Sequence, residues 1–114
     1  KRDDLTRAYC ESDAFVCLSS HEGFCLPIQE AMAFGVPVIA LDAGAVSETL
    51  GGGGILLDTK DPRMVASAIE VLHRNDTLRG RLADRGATLA RDMSSDYERY
   101  ASRLLELLEA VKAR

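Results

Sequence analysis

The sequence predicts an α/β fold in which three short parallel strands are flanked by helices, and three observations predict it. The 114-residue chain carries three short apolar runs: AFVCLS (14–19), PVIALD (37–42) and a third over 54–57 at the end of GGGGILLD. These runs are continuous rather than alternating, which is the pattern of strands covered on both faces of a parallel sheet. Between and after them lie segments with apolar residues at helical spacing, bounded by proline, glycine or capping residues.

Taken in order, residues 2–11 place Leu5, Ala8 and Tyr9 at helical spacing, and ESD ends the pattern before the first strand. Pro27 stands at the first helical position of a short helix with Ile28, Ala31 and Met32, closed by Gly35. Pro37 opens the second strand, and a turn at Gly44 leads to a helical turn over 46–50. The glycines 51–54 then return the chain to the third strand. Asp61 is placed as an N-cap before Pro62, with Val65, Ile69 and Leu72 on one stripe. Two long C-terminal helices follow, over about 77–92 and 95–112, the second opened by the capping box Ser95-x-x-Glu98. Its face is lined by Tyr97, Tyr100, Leu104, Leu108 and Val111. This order is that of the second half of a doubly wound, Rossmann-like domain. In such sheets ligands bind beyond the carboxyl ends of the strands, where the loops 19–26 and 42–46 lie.

With 46% hydrophobic and 28% charged residues and a net charge of −4, the chain has no overall basic field to attract nucleic acid. No apolar run approaches the roughly 18 residues of a membrane-spanning helix, and no signal peptide is visible. Membrane contact is left open: Arg79, Arg81, Arg85 and Arg91 share a helix, but the interspersed Asp84 and Asp92 favour a solvated face. The three cysteines, Cys10, Cys17 and Cys25, form no CxxC pair, so neither a disulfide framework nor a metal site is indicated. Reduced thiols fit a cytoplasmic location, with the inner membrane surface as a further option.

The chemistry concentrates in SHEGFCLPIQEAM (20–32). A glycine run would cradle phosphate if it lay between a strand and a helix. Gly51 to Gly54 lie between a helical turn and a strand, and read as a flexible return. The loop 23–26 does run into a helix, so the amides of Gly23, Phe24, Cys25 and Leu26 can converge on an anion. Glu22 precedes that loop and Glu30 lies about one turn inside the helix. A carboxylate offers two acceptor oxygens and suits a vicinal diol such as the ribose hydroxyls. Two carboxylates could equally serve glycoside hydrolysis, or each could be a solvated charge. Spacing alone does not choose.

The segment from SHEGFCLPIQEAM through FGVPVIALDAGAVSETLGGGGILLDTKDP resembles the nucleotide-sugar-binding half of retaining glycosyltransferases of the GT-B architecture, family 4, the "group 1" enzymes. Glu22 and Glu30 match that family's paired glutamates, with Gly23, Phe24, Pro27, Ala31, Met32, Gly35 and Pro37 in register. The resemblance implies that residues 1–114 are a partial C-terminal donor-binding domain of a larger two-domain enzyme. It implies that Glu30 holds the ribose hydroxyls of a nucleoside diphosphate sugar. Glu22, the candidate catalytic residue, contacts the donor sugar with the amides of Gly23, Phe24 and Cys25, and the Leu26 amide faces the diphosphate. No cofactor or metal is expected. Cys25 stands where the family usually has a second glycine, Ala45 replaces a glycine and Ser47 a proline.

The expected partners are the nucleotide-sugar donor and an N-terminal acceptor-binding domain of the same protein, along with an Arg and a Lys that offset the diphosphate charge. Neither that domain nor those cations fall within these residues. The piece alone is therefore expected to be inactive and to self-associate through an open sheet edge. The alternatives are a catalytically silent nucleotide-sugar-binding module and an epimerase or phosphorylase relative on the same scaffold.

Overall fold

Sheet order follows chain order. In the computed structural model, which describes residues 2–19 and 26–112, strand β1 (Phe15–Cys17) pairs with β2 (Val38–Leu41), and β2 with β3 (Gly54–Leu57), all in parallel. Phe15 stands opposite Val38, and Val38 opposite Gly54. Parallel neighbours require crossovers, and helices supply them. α1 (Arg2–Glu11) precedes β1, α2 (Leu26–Ala33) joins β1 to β2, and α3 (Val46–Leu50) joins β2 to β3. α4 (Pro62–Arg74) and α5 (Asp76–Lys112) complete the chain.

The central strand explains why its sequence is continuously apolar. Val38 and Ala40 face a core built with Ile28, Ala31 and Met32 of α2, Val46 and Leu50 of α3, and Tyr9. Leu89, Ala90 and Met93 of α5 pack against the same core. Ile39 points to the other face, where Leu57 joins Ala68 and Leu72 of α4, with Val65, Leu78 and Leu82 alongside. Both faces of β2 are thus dry, as its composition requires. Cys17 is a half-buried apolar packing group beside the α2 core.

Helix ends follow their capping chemistry. Asp61 accepts from the Arg63 amide at 2.9 Å and Pro62 opens α4. Asn75, which the sequence reading passed over, accepts from the Leu78 amide at 2.9 Å and starts α5. Arg79 reaches back to the last carbonyls of α4, donating to Leu72 at 2.6 Å and His73 at 2.9 Å. His73 and Arg74 occupy the basic last turn that the helix dipole favours.

Two expectations need correction. The helices expected over 77–92 and 95–112 are one helix of 37 residues. Between Asp92 and Glu98 there is neither glycine nor proline to break it, and a capping-box pattern is compatible with a helix interior. Within α4, Ile69 is 44% exposed while Ala68 and Leu72 are buried. Ile69 lies roughly 60° round the helix from Leu72, against roughly 20° for Val65, so the buried stripe centres on Leu72 and leaves Ile69 at its margin.

The glycine run is a turn, but its members are not interchangeable. Gly51 ends α3 in the left-handed region at φ 52°. Gly53 meets α5 so closely that a Cβ there would stand 2.9 Å from the Gly86 Cα. That contact seats α5 beside the start of β3. Among the described residues no helix is long and apolar enough to cross a membrane.

Candidate functional site

Parallel pairing sends the ends of β1 and β2 to the same edge of the sheet, so the connections to α2 and α3 leave from one side. Of the residues singled out in sequence, Glu22, Gly23, Phe24 and Cys25 lie outside the described residues, as does His21. Leu26 and Glu30 are described.

Leu26 is the first residue of α2, and its side chain is exposed. It therefore belongs to the first turn, where main-chain amides lack helical acceptors and the dipole favours an anion. Glu30 follows four positions later and so lies on the same face, about 6 Å further along the axis. Its side chain is exposed to solvent. The opposite side of α2 explains this orientation: Ile28, Ala31 and Met32 are buried against the sheet, which leaves Leu26 and Glu30 outside.

A residue the sequence reading placed only on an apolar stripe also reaches this site. Tyr9 of α1 is 8% exposed, with its hydroxyl 3.5 Å from the Pro27 carbonyl oxygen. Burial raises its phenol above the ordinary 10.0, and the charge of Glu30 and a hydrogen bond to that carboxylate act in the same direction. A phenol has one proton and here two acceptors. The 3.5 Å contact is at the limit of hydrogen bonding, whereas an ionised carboxylate is the stronger acceptor. The hydroxyl is thus placed against the Pro27 carbonyl, with the Glu30 carboxylate as the charged acceptor nearby. The signal available in sequence was one tyrosine at the end of an otherwise polar helix.

Gly44 adopts φ 56° in the turn before α3, as its reading as a turn residue requires. Glu48 lies in the first turn of α3, whose N-cap Ala45 makes no side-chain capping bond. A groove of about 700 Å³ is lined by Gln29, Thr49, Tyr97 and Tyr100 among others. Neither Leu26 nor Glu30 lines it. Among the described residues no group of three or more His, Cys, Asp or Glu side chains is placed to hold a metal ion.

The arrangement offers a helix start for an anion and, one turn on, a carboxylate for hydroxyls. Known proteins resemble the chain at the level of the whole domain. Residues 1–88 match the family described as glycosyl transferases group 1. The O-antigen chain mannosyltransferase B of Escherichia coli is 34% identical over 92 residues, covering 81% of this chain and 24% of that protein. A D-inositol 3-phosphate glycosyltransferase of Nocardioides is 34% identical over 115 residues, covering 98% of this chain and 24% of that protein. The chain thus spans about a quarter of the length of these relatives. Among solved structures, the C-terminal domain of the group 1 glycosyl transferase LpcC from Francisella tularensis superposes with a TM-score of 0.72 at 33% identity. That match covers 81% of this chain and 48% of that one. The sheet order, the helix placement and the sequence match over residues 1–88 agree: the chain belongs to the glycosyl transferases group 1 family.

Proposed function

We propose that this chain forms part of the donor site of a retaining glycosyltransferase, which in the intact protein moves a sugar from a nucleoside diphosphate to an acceptor hydroxyl. The observation that carries the reading is Glu30: an exposed carboxylate one turn inside α2, at the edge of the sheet where β1 and β2 end. In this reading Glu30 accepts from the ribose hydroxyls and the Leu26 amide faces the diphosphate. Glu22 and the amides of Gly23, Phe24 and Cys25 hold the donor sugar. The relatives named mannosyltransferase and inositol phosphate glycosyltransferase support the reaction class.

The chemistry asked of these residues is positioning and charge stabilisation. The bond from the anomeric carbon to the diphosphate oxygen breaks as the acceptor oxygen bonds to that carbon on the same face. The acceptor proton passes to the departing phosphate. No metal or other cofactor is invoked. The diphosphate charge must be offset by cations from outside this chain's site residues, and an N-terminal domain of the same protein brings the acceptor. Residues 1–114 alone are expected to be inactive.

The test is nucleotide binding to the intact protein carrying Glu30→Ala. Hydrogen bonds to a charged group contribute about 1.5–3 kcal/mol, so affinity for the matching nucleoside diphosphate should fall about 10- to 100-fold. Undiminished binding in a folded Glu30→Ala protein would remove the basis of the proposal.

A further inference from the structure

Tyr9 is the single described residue that α1 contributes to the buried core. Its ring stacks on Phe34, with centroids 5.2 Å apart and planes 10° from parallel, and Phe15 of β1 tilts against it at 6.0 Å. Its hydroxyl is beside Pro27. Pro27 and Glu30 share one face of α2, and Phe34, in the turn just past the helix, continues it with its amide on the Glu30 carbonyl at 3.2 Å. The tyrosine therefore lies lengthwise along that face, ring on Phe34 and hydroxyl near Pro27, with Glu30 between the two points of contact.

We propose that Tyr9 is a positioning residue for Glu30: its hydroxyl holds one carboxylate oxygen so that the other is presented to the two hydroxyls of a ribonucleotide. The inference rests on the donor-site reading of Glu30. A glutamate on an exposed helix face samples many rotamers, and binding a diol requires one of them. A ring held by two aromatic contacts supplies a fixed donor, because Tyr9 cannot turn without leaving Phe34 and Phe15. The carboxylate has about four lone-pair positions, so accepting from Tyr9 leaves capacity for the ligand. A purely structural Tyr9 would anchor α1 through its ring and have no preference among ligands.

The experiment uses the intact protein with GDP, UDP and ADP, each compared with its 2′,3′-dideoxy counterpart, which gives Glu30 no hydroxyls. Tyr9→Phe keeps the ring and removes the clamp. It should weaken the bound ribonucleotide about three- to tenfold, the scale of one hydrogen bond, and leave the dideoxy counterpart unchanged. In a Glu30→Ala background it should add no further loss. Equal weakening of both nucleotides, or none, overturns the inference. If Glu30→Ala alone leaves ribonucleotide binding intact, the donor-site reading itself fails, and this is seen without any Tyr9 variant. A second measurement does not depend on how Tyr9→Phe folds. Ultraviolet titration of the tyrosines should show one phenol moving down toward its ordinary value in Glu30→Gln. An unchanged curve overturns the contact.

Discussion

At the scale of single residues, the site and its support differ in how far they can be read from sequence. Glu30 was legible because its distance from Pro27 and the apolar positions 28, 31 and 32 together put it on the outer face of a short helix. Tyr9 was not, because its polar tip meets Pro27, 18 positions away, and no local pattern encodes that meeting. The glycine run was half legible. Its turn was evident, but the crowding of Gly53 arises only when α5 lies against it, and that of Gly54 only when β3 lies against β2. A Cβ on Gly54 would stand 2.1 Å from the Val38 carbonyl oxygen, inside the ladder between the strands. Gly54→Ala should therefore destabilise the domain by about 1–3 kcal/mol or more. Gly80, in α5 with nothing within 4 Å of its would-be Cβ, is the control: Gly80→Ala should stabilise by about 0.5–1 kcal/mol. Urea unfolding of the two variants reads both, and similar effects of the two would contradict the crowding.

At the scale of elements, caps were legible where they are local and missed where they are shared. Asp61 and Pro62 mark the start of α4 in sequence and in structure. The Arg79 contacts with the end of α4 come from the next helix, so they depend on how the two helices meet. The Asp61 cap also has a pH signature. Its hydrogen bonds to the Arg63 side chain and amide hold its carboxyl below the ordinary 3.8. A depressed native value means that its stabilisation is present above 3.8 and is lost as pH falls through the lower native value. Asp61→Ala should lower the melting temperature at neutral pH, and the gap should close in acid below that range. Asp61→Asn, which keeps a cap without a charge, should lose less. Thermal melts across pH check both. A gap that persists unchanged in acid would show that the cap does not act through the ionised carboxylate.

At the scale of the whole molecule, the radius of gyration is 16.9 Å and the longest extent 61 Å, where a compact domain of this length has a radius of about 13 Å. α5 accounts for the difference: 37 residues at about 1.5 Å each make a rod of roughly 55 Å. From Ser94 to Lys112 every residue is exposed, including Leu104, Leu105, Leu107 and Leu108. Among the described residues no strand pairs with the outer edges of β1 or β3. An apolar rod and unpaired edges both favour association, so the 114-residue chain alone should form dimers or larger species in light scattering. A monomer persisting at high concentration would contradict that expectation. The open sheet edge and the amphipathic 95–112 pattern were readable from sequence, but the uninterrupted length of the helix was not.

That length has a mechanical consequence. α5 is clamped at its root, where Gly86 lies against Gly53 and Met32, and its residues from Ser94 onward are all exposed. The overhang of about 27 Å acts as a lever. A tilt of roughly 10° at the fulcrum carries the tip about 5 Å, so a slight shift in the glycine seat is magnified at the far end.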